Sequence, residues 1–227
     1  MRKAAFCQML QNNPGLFRRI VAFNYRTAFY LHTSRVTQIA CHRTYHQLLK
    51  SERGAKQLSR MICNAWALDP VGFWEFETTI SRIGLFDFSQ IEHLTKLVGA
   101  TLFRQPLAHV IARDHLQEIR TAIGDDCYRF AVKRSPFLIP KLPENVLQLL
   151  TKAIDETTSF IQQIQNVGWE VLSQTLKDAP RAMTSRLNLK LPADSALQSE
   201  TVLEQEDRRA CVEIVEKIID TEFSSEC

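Results

Sequence analysis

Apolar residues recur three and four positions apart along nearly the whole chain, and glycine is scarce, at seven in 227 residues. That period stacks apolar side chains on one face of a helix. A sheet would need alternation and a supply of turn glycines. Only one stretch alternates clearly, Arg186-Leu187-Asn188-Leu189-Lys190-Leu191-Pro192. The pattern predicts an all-α protein. It reads as a single helical domain of about eight to ten helices, with a short extended segment near 186–192 and an acidic C-terminal helix. A β-rich or Rossmann fold does not fit. With 45% hydrophobic and 23% charged residues, the chain has material for an ordinary core. A wholly disordered, collagen-like or mucin-like chain is excluded.

Local signals divide the pattern. Pro14-Gly15 sets off a short N-terminal piece. A helix is expected from Ser34 to Lys50, bearing His42 and His46. Another runs from Ser51 to Leu68, with Leu58, Ile62, Ala65 and Trp66 on one face. Asp69-Pro70 reads as an N-cap followed by proline at the first helical position, and Phe73, Phe76, Ile80 and Ile83 supply the stripe up to Gly84. Ser89 with Glu92 reads as a capping box, opening a helix that buries Ile91, Leu94, Leu97 and Val98. Pro106 starts a stripe of Leu107, Val110 and Ile111. Asp114 caps Leu116, Ile119 and Ile123, and Gly124 ends that helix. Asp125 opens a short helix that Ser135-Pro136 stops. Pro136, Pro140 and Pro143 form a hinge-like connector. Val146 to Ile164 reads as one long helix, Gly168-Trp169 opens a shorter one, and Pro180 opens one reaching about Ser185. The expected organisation is a helical domain over 1–192, with a basic part at 1–60 and a Pro-rich connector at 135–143. A linker and an acidic amphipathic helix follow over 193–227.

The six cysteines, Cys7, Cys41, Cys63, Cys127, Cys211 and Cys227, are widely and irregularly spaced, with no CxxC or CxC pair. They read as reduced thiols in a cytoplasmic protein rather than as a disulfide framework or a zinc site. The basic start Met1-Arg2-Lys3 is followed by an apolar run that breaks at Gln8, too short for a signal peptide. No window approaches the 18 or so apolar residues of a membrane span.

Charge is unevenly spread beneath a net of +3. Residues 1–60 hold 11 Lys/Arg and one acid, residues 61–196 are close to neutral, and residues 197–227 hold 3 bases and 9 acids. The cationic third could meet phosphate, an anionic membrane or an acidic protein surface, or be a solvated face. The acidic tail offers an apolar stripe of Val212, Val215, Ile218 and Ile219, either to its own domain or to a partner groove.

Signatures of chemistry are missing. His42 and His46 share a helix face at metal-binding spacing, but Arg43 stands where a zincin needs Glu. Asp125-Asp126 and Asp155-Glu156 are adjacent pairs, which do not face each other on a helix. No GxSxG elbow and no phosphate-binding glycine loop occurs. Cys127 follows two carboxylates, which disfavours its thiolate. No catalytic, metal or cofactor set is expected.

Three motifs, in order, resemble one family. Phe23-Asn24-Tyr25-Arg26-Thr27-Ala28-Phe29-Tyr30-Leu31-His32 is similar to its Phe-x-Pro-x-x-Tyr-Leu/Ile-His opening, with Thr27 in place of the proline. Ile80-Ser81-Arg82-Ile83-Gly84-Leu85 is similar to its Leu-x-Arg-Leu-Gly-Leu segment. Gly168-Trp169, Pro180 and Arg186-Leu187-Asn188-Leu189-Lys190-Leu191-Pro192 are similar to its close, Arg-Leu-x-Leu-x-Leu-Pro. The family is the SctK group (YscK/PscK-like) of bacterial type III secretion systems.

The resemblance implies a non-catalytic cytoplasmic adaptor without a cofactor, peripheral to the inner membrane at the base of the secretion apparatus. Its partners would be an SctD-type inner-membrane ring protein and an SctQ-type pod protein. Through the pod it would reach an SctL-type stator and an SctN-type ATPase. The motif residues Phe23, Tyr30, Leu31, His32, Arg82, Gly84, Arg186, Leu187, Leu189, Leu191 and Pro192 become structural or partner-binding candidates. Arg18, Arg19, Arg26 and Arg35 become candidates for an electrostatic interface. A helical nucleic-acid-binding protein using residues 1–60, or a type III secretion chaperone, are the alternatives.

Overall fold

The computed structural model describes residues 13–152, 159–193, 197 and 201–223. The expectations for Cys7, Cys227 and the Asp155-Glu156 pair lie outside these residues. The described residues contain helices and turns and no strand, so the all-α reading holds. Nine of the described helices run eight residues or more. The chain divides into two compact units, Met1–Phe88 with Ala179–Ala196, and Ser89–Asp178 with Leu197–Cys227.

Among the described residues of the first unit, the first helix is α1 (Pro14–Tyr25), capped by Asn13, whose side chain accepts from the Leu16 N–H at 2.9 Å. Where one helix was expected from Ser34 to Lys50 there are two, α2 (Thr33–Val36) and α3 (His42–Leu49). Tertiary anchors separate them. The His32 N–H ahead of α2 donates to the Leu189 carbonyl at 2.8 Å, and the Tyr45 hydroxyl of α3 donates to the Ala28 carbonyl at 2.6 Å. α4 (Glu52–Ala65) is capped by Ser51 as its sequence suggests. It stops three residues short of Leu68, because Ala67 turns left-handed at φ 46° and the Leu68 N–H closes back on the Cys63 carbonyl at 2.8 Å.

The stretch after Asp69-Pro70 is corrected more deeply, since residues 69–78 are not helical. Asp69 accepts from the Val71 N–H at 2.8 Å, an Asx turn rather than an N-cap, and Gly72 follows at φ 78°. The buried Asn24 amide then grips Phe73 from both sides. Its Oδ1 accepts from the Phe73 N–H at 2.7 Å, and its Nδ2 donates to the Phe73 carbonyl at 2.6 Å. These bonds satisfy backbone groups that a helix would otherwise claim. The apolar stripe is real but extended: Phe73 and Phe76 are buried, and the helix α5 (Thr79–Arg82) starts only at the Thr78 cap.

The second correction is α13 (Arg181–Lys190), which carries the stretch expected to be extended. Alternating apolar and polar residues suggested a strand with one wet face. In the fold Arg186, Leu187, Leu189 and Lys190 are all buried, so both the apolar and the cationic positions face inward.

In the second unit, α6 (Phe88–Leu102) buries Ile91, Leu94, Leu97 and Val98 as its period requires. It begins one residue before Ser89, which is therefore inside the helix rather than its cap. α7 (Arg104–Ala108) and α8 (Arg113–Ile123) follow. Asp114 lies in the first turn of α8, after the N-cap Ala112. α9 (Asp125–Arg129) does not stop at Ser135-Pro136. It widens into a π-turn over Phe130–Arg134 and continues as α10 (Ser135–Leu138). The π-turn accommodates the missing proline donor, and Arg104 donates to the carbonyls of Ser135 and Ile139 at 3.1 and 3.0 Å.

α11 (Glu144–Lys152) and α12 (Phe160–Leu176) replace the single helix expected from Val146 to Ile164. Ser159 caps α12, and Gly168 lies inside it rather than at a start. The reason is close packing. A Cβ on Gly168 would stand 2.0 Å from the Thr95 carbonyl oxygen of α6, and one on Gly99 would stand 2.0 Å from that of Ile164. Only glycine lets these two backbones approach so nearly. α14 (Gln205–Glu222) packs against α12 through Cys211, Ile214, Val215 and Ile218, so these side chains serve the unit's own core.

Candidate functional site

In the first unit residues from each of the three motifs meet on a buried cation that the sequence reading passed over. Lys190 is 5% exposed. Its ammonium donates to the Gly84 carbonyl at 2.7 Å and the Phe86 carbonyl at 2.6 Å, and lies 5.3 and 5.1 Å from the ring centres of Phe23 and Tyr30. Two carbonyls and two ring faces thus take the place of water. Burial, helped by nearby Arg19, nevertheless pushes the ammonium down to about 7, and Asp87 opposes that drop. The signal in the sequence was a lysine four residues after Arg186, which in helical register puts both cations on one face.

Other motif residues of this unit pack in its core or bond to its backbone. Phe23 stacks on Tyr30 with ring centres 6.1 Å apart, and the Tyr30 hydroxyl donates to the Phe23 carbonyl at 2.6 Å. Burial holds the Tyr30 phenol well above its usual range, with Arg186 opposing. Leu31, Leu187, Leu189 and Leu191 are core residues. The His32 ring meets Phe88 at 5.1 Å and caps α2 by accepting from the Ser34 N–H. A Cβ on Gly84 would come within 3.2 Å of the Phe76 ring. Arg82 and Pro192 are half-buried.

The four interface arginines separate into two kinds. Arg35 donates to the Leu191 and Pro192 carbonyls at 2.9 and 3.1 Å, fastening the end of α13, and Arg19 reaches the Leu85 carbonyl at 3.4 Å. Arg18 and Arg26 are exposed. Arg26 lies over the Phe29 ring at 5.3 Å and pairs with Glu52 at 3.6 Å.

Arg26 and Phe29 border a groove of about 630 Å³. Tyr25, Lys56 and Arg60 line it as well, and Arg186 forms part of its floor. Tyr25 and Phe29 are 50% and 57% exposed, large for aromatic side chains. Arg186 is 1% exposed and, among the described residues, is bound through two backbone carbonyls, Asp69 at 2.5 Å and Ala182 at 3.0 Å. Its Nε–H has no acceptor among the described residues. Lys56 and Arg60, one turn apart on the exposed side of α4, were not singled out by sequence, because nothing local distinguishes them from an ordinary solvated face.

Groups with reactive potential are few. His42 and His46 are exposed, with ring centres 6.5 Å apart. In the second unit His93, Asp126 and Cys127 place three potential metal-ligating atoms within 4.8 Å of one another. The Cys127 Sγ lies 3.6 Å from His93 Nδ1, a thiol–imidazole hydrogen bond. Burial first, and Asp126 second, push this thiol up to about 12, which keeps the sulfur protonated while it bonds to His93. Asp125 bridges Arg120 and Arg129. The adjacent carboxylates therefore hold the α8–α9 corner and His93 rather than forming an acid–base pair.

Fold and groove together define an all-α protein with a cation-lined groove. The chain belongs to the YscK family, described as "YOP proteins translocation protein K (YscK)", whose pattern matches residues 19–227. It is thus a type III secretion protein, in agreement with the resemblance carried by the three motifs. No curated protein and no solved structure matches the chain. Among the described residues, no helix is long and apolar enough to cross a membrane.

Proposed function

We propose that this protein is a non-catalytic structural adaptor of the sorting platform, linking the SctD-type ring protein to the SctQ-type pod protein. In this role it sits in the cytoplasm beneath the inner membrane and is required for export. The observation that carries the reading is the family match over nearly the whole chain. The architecture supports it, since the motif residues are spent on packing and on fastening backbone carbonyls, while the groove presents charge and exposed aromatics. An adaptor needs such rigid, charge-marked faces for register and steering.

The test is co-purification of ring and pod proteins with the tagged chain. Both should be retained, and deletion of the chain should abolish export. Retention of neither partner refutes the reading. Charge reversal belongs at Arg18 and Arg26, because Arg19 and Arg35 fasten the first unit's backbone and their loss would confound binding with stability. The pair Arg18→Glu and Arg26→Glu should weaken one partner and spare the other.

A further inference from the structure

We infer that the groove between α1 and α4 is a docking site for an acidic segment of a partner protein, one that carries carboxylates and a large apolar side chain. This deepens the adaptor reading, on which it rests only for which protein supplies the segment. Three observations point the same way.

The first is the uncompensated charge of the groove. Four cations line it, Arg26, Lys56, Arg60 and Arg186, against two carboxylates, Glu52 and Asp69. Glu52 is already held by Arg26 in an ion pair with exposed partners, the kind that exchanges readily for another carboxylate.

The second is Arg186 beneath the groove. A fully buried guanidinium is ordinarily matched by a carboxylate, because removing its charge from water is costly. Here its partners are two carbonyls, and its Nε–H has no acceptor among the described residues. A carboxylate in the groove supplies the missing countercharge across a low-dielectric floor. The arginine is anchored at Ala182 and Asp69, so it is preorganised for that anion before the partner arrives.

The third is the apolar rim. Tyr25 and Phe29 are each half-exposed beside Arg26, with Arg26 lying on the Phe29 ring. Aromatic and arginine side chains are the usual anchors of a protein interface. A volume of about 630 Å³ holds several side chains. Nucleic acid fits less well: its phosphates would repeat at fixed intervals along the site, against the two carboxylates in its lining.

The probe is a synthetic peptide of Glu, Asp, Phe and Leu, with a twin in which Gln and Asn replace the acids. Binding to the full chain is read by calorimetry and by the arginine Nε–H resonances. The acidic peptide should bind saturably and shift the Arg186 resonance, while the amide twin does neither. The double variant Lys56→Glu and Arg60→Glu changes exposed side chains only and should keep the melting temperature. It should weaken the peptide about tenfold or more, whereas Arg18→Glu, outside the groove, should change affinity less than twofold. No binding of the acidic peptide, equal binding of the twin, or an unaffected double variant overturns the site. So does single-stranded DNA that binds more tightly than the peptide and is lost in the same double variant. Pull-down of the ring and pod proteins runs in parallel. Peptide bound with neither protein retained removes the adaptor reading and leaves the site, whereas both proteins retained by the double variant removes the site and leaves the adaptor.

Discussion

The two units are built by different devices. The first is organised around buried polar groups: Asn24, Arg186 and Lys190 each reach backbone carbonyls, Asn24 also holds the Phe73 N–H, and the side chains replace missing secondary-structure partners. The second brings α6 and α12 together through glycine, with Gly99 and Gly168 allowing backbone to touch backbone. Polar pins hold irregular chain in a unique path, because an unsatisfied buried group is costly in every alternative. Glycine contacts hold regular helices at one distance and one register, because a single added carbon already clashes. One unit is thus specified by bonds and the other by shape, and each should fail in its own way.

The largest effect should come from Gly168→Ala. The new carbon meets the Thr95 carbonyl, which is backbone and cannot swing aside. A loss of roughly 3 kcal/mol or more is expected, read as a fall in the second unit's melting transition. Gly99→Ala should do the same. An unchanged melting temperature in both would break the claim that shape specifies this unit.

Next comes Lys190→Met, which keeps the volume and removes the donor to the Gly84 and Phe86 carbonyls. A cost of roughly 2–4 kcal/mol is expected from the loss of these two buried hydrogen bonds, confined to the first unit. Hydrogen exchange should rise around residues 83–86 while α12 stays protected.

The same lysine makes a pH prediction. Unfolded, its ammonium keeps its proton to 10.5, whereas folded it releases it at about 7. Below 7 both states are charged and the folded state bears the whole cost of burial. As pH rises through 7 only the folded state loses the proton, so stability increases, by up to about 1.4 kcal/mol per pH unit. The rise should end near pH 9, where unfolded cysteines ionise at 9.0 while burial holds Cys127 and Cys211 at about 12, which favours unfolding. Urea titrations at several pH values check this, and Lys190→Met should flatten the rise.

The smallest effect concerns thiol access. Cys41 in the first unit is exposed, and its hydrogen bond with Thr44 lowers its thiol below the ordinary value. Cys127 and Cys211 in the second are buried. Site-resolved alkylation should label Cys41 quickly and the two buried thiols only on unfolding. Early labelling of Cys211 would show that α14 opens alone.

Much of the helical framework was legible because its signals are local. The helix expected to open at Ser51 does so, and Ile91, Leu94, Leu97 and Val98 are buried as their spacing implies. The misreadings share one cause. Asp69-Pro70 has every local mark of a helix start, yet Asn24, 49 residues away, takes the backbone of Phe73. The stretch from Arg186 to Lys190 has the mark of a strand only while its cations are assumed to face water. Of the candidate site, the motif residues were legible as a group but not as packing. Lys56 and Arg60 were illegible, because a shared groove has no local signature; the spacing of Lys190 from Arg186 could be read, but its burial could not.

By itself the sequence determined that this protein is helical, which faces of its longer helices are buried, and which family it belongs to. Those properties depend on period and capping within a turn or two, where the chain's own geometry decides. Tertiary structure alone decided that α13 is a helix with two buried cations, that residues 69–78 are not helical, and that a groove lies over Arg186. Each depends on a partner far along the chain, such as Asp69 for Arg186, 117 residues distant, or Gly84 for Lys190, 106 residues distant. Only folding brings those carbonyls near enough to replace water around a buried charge.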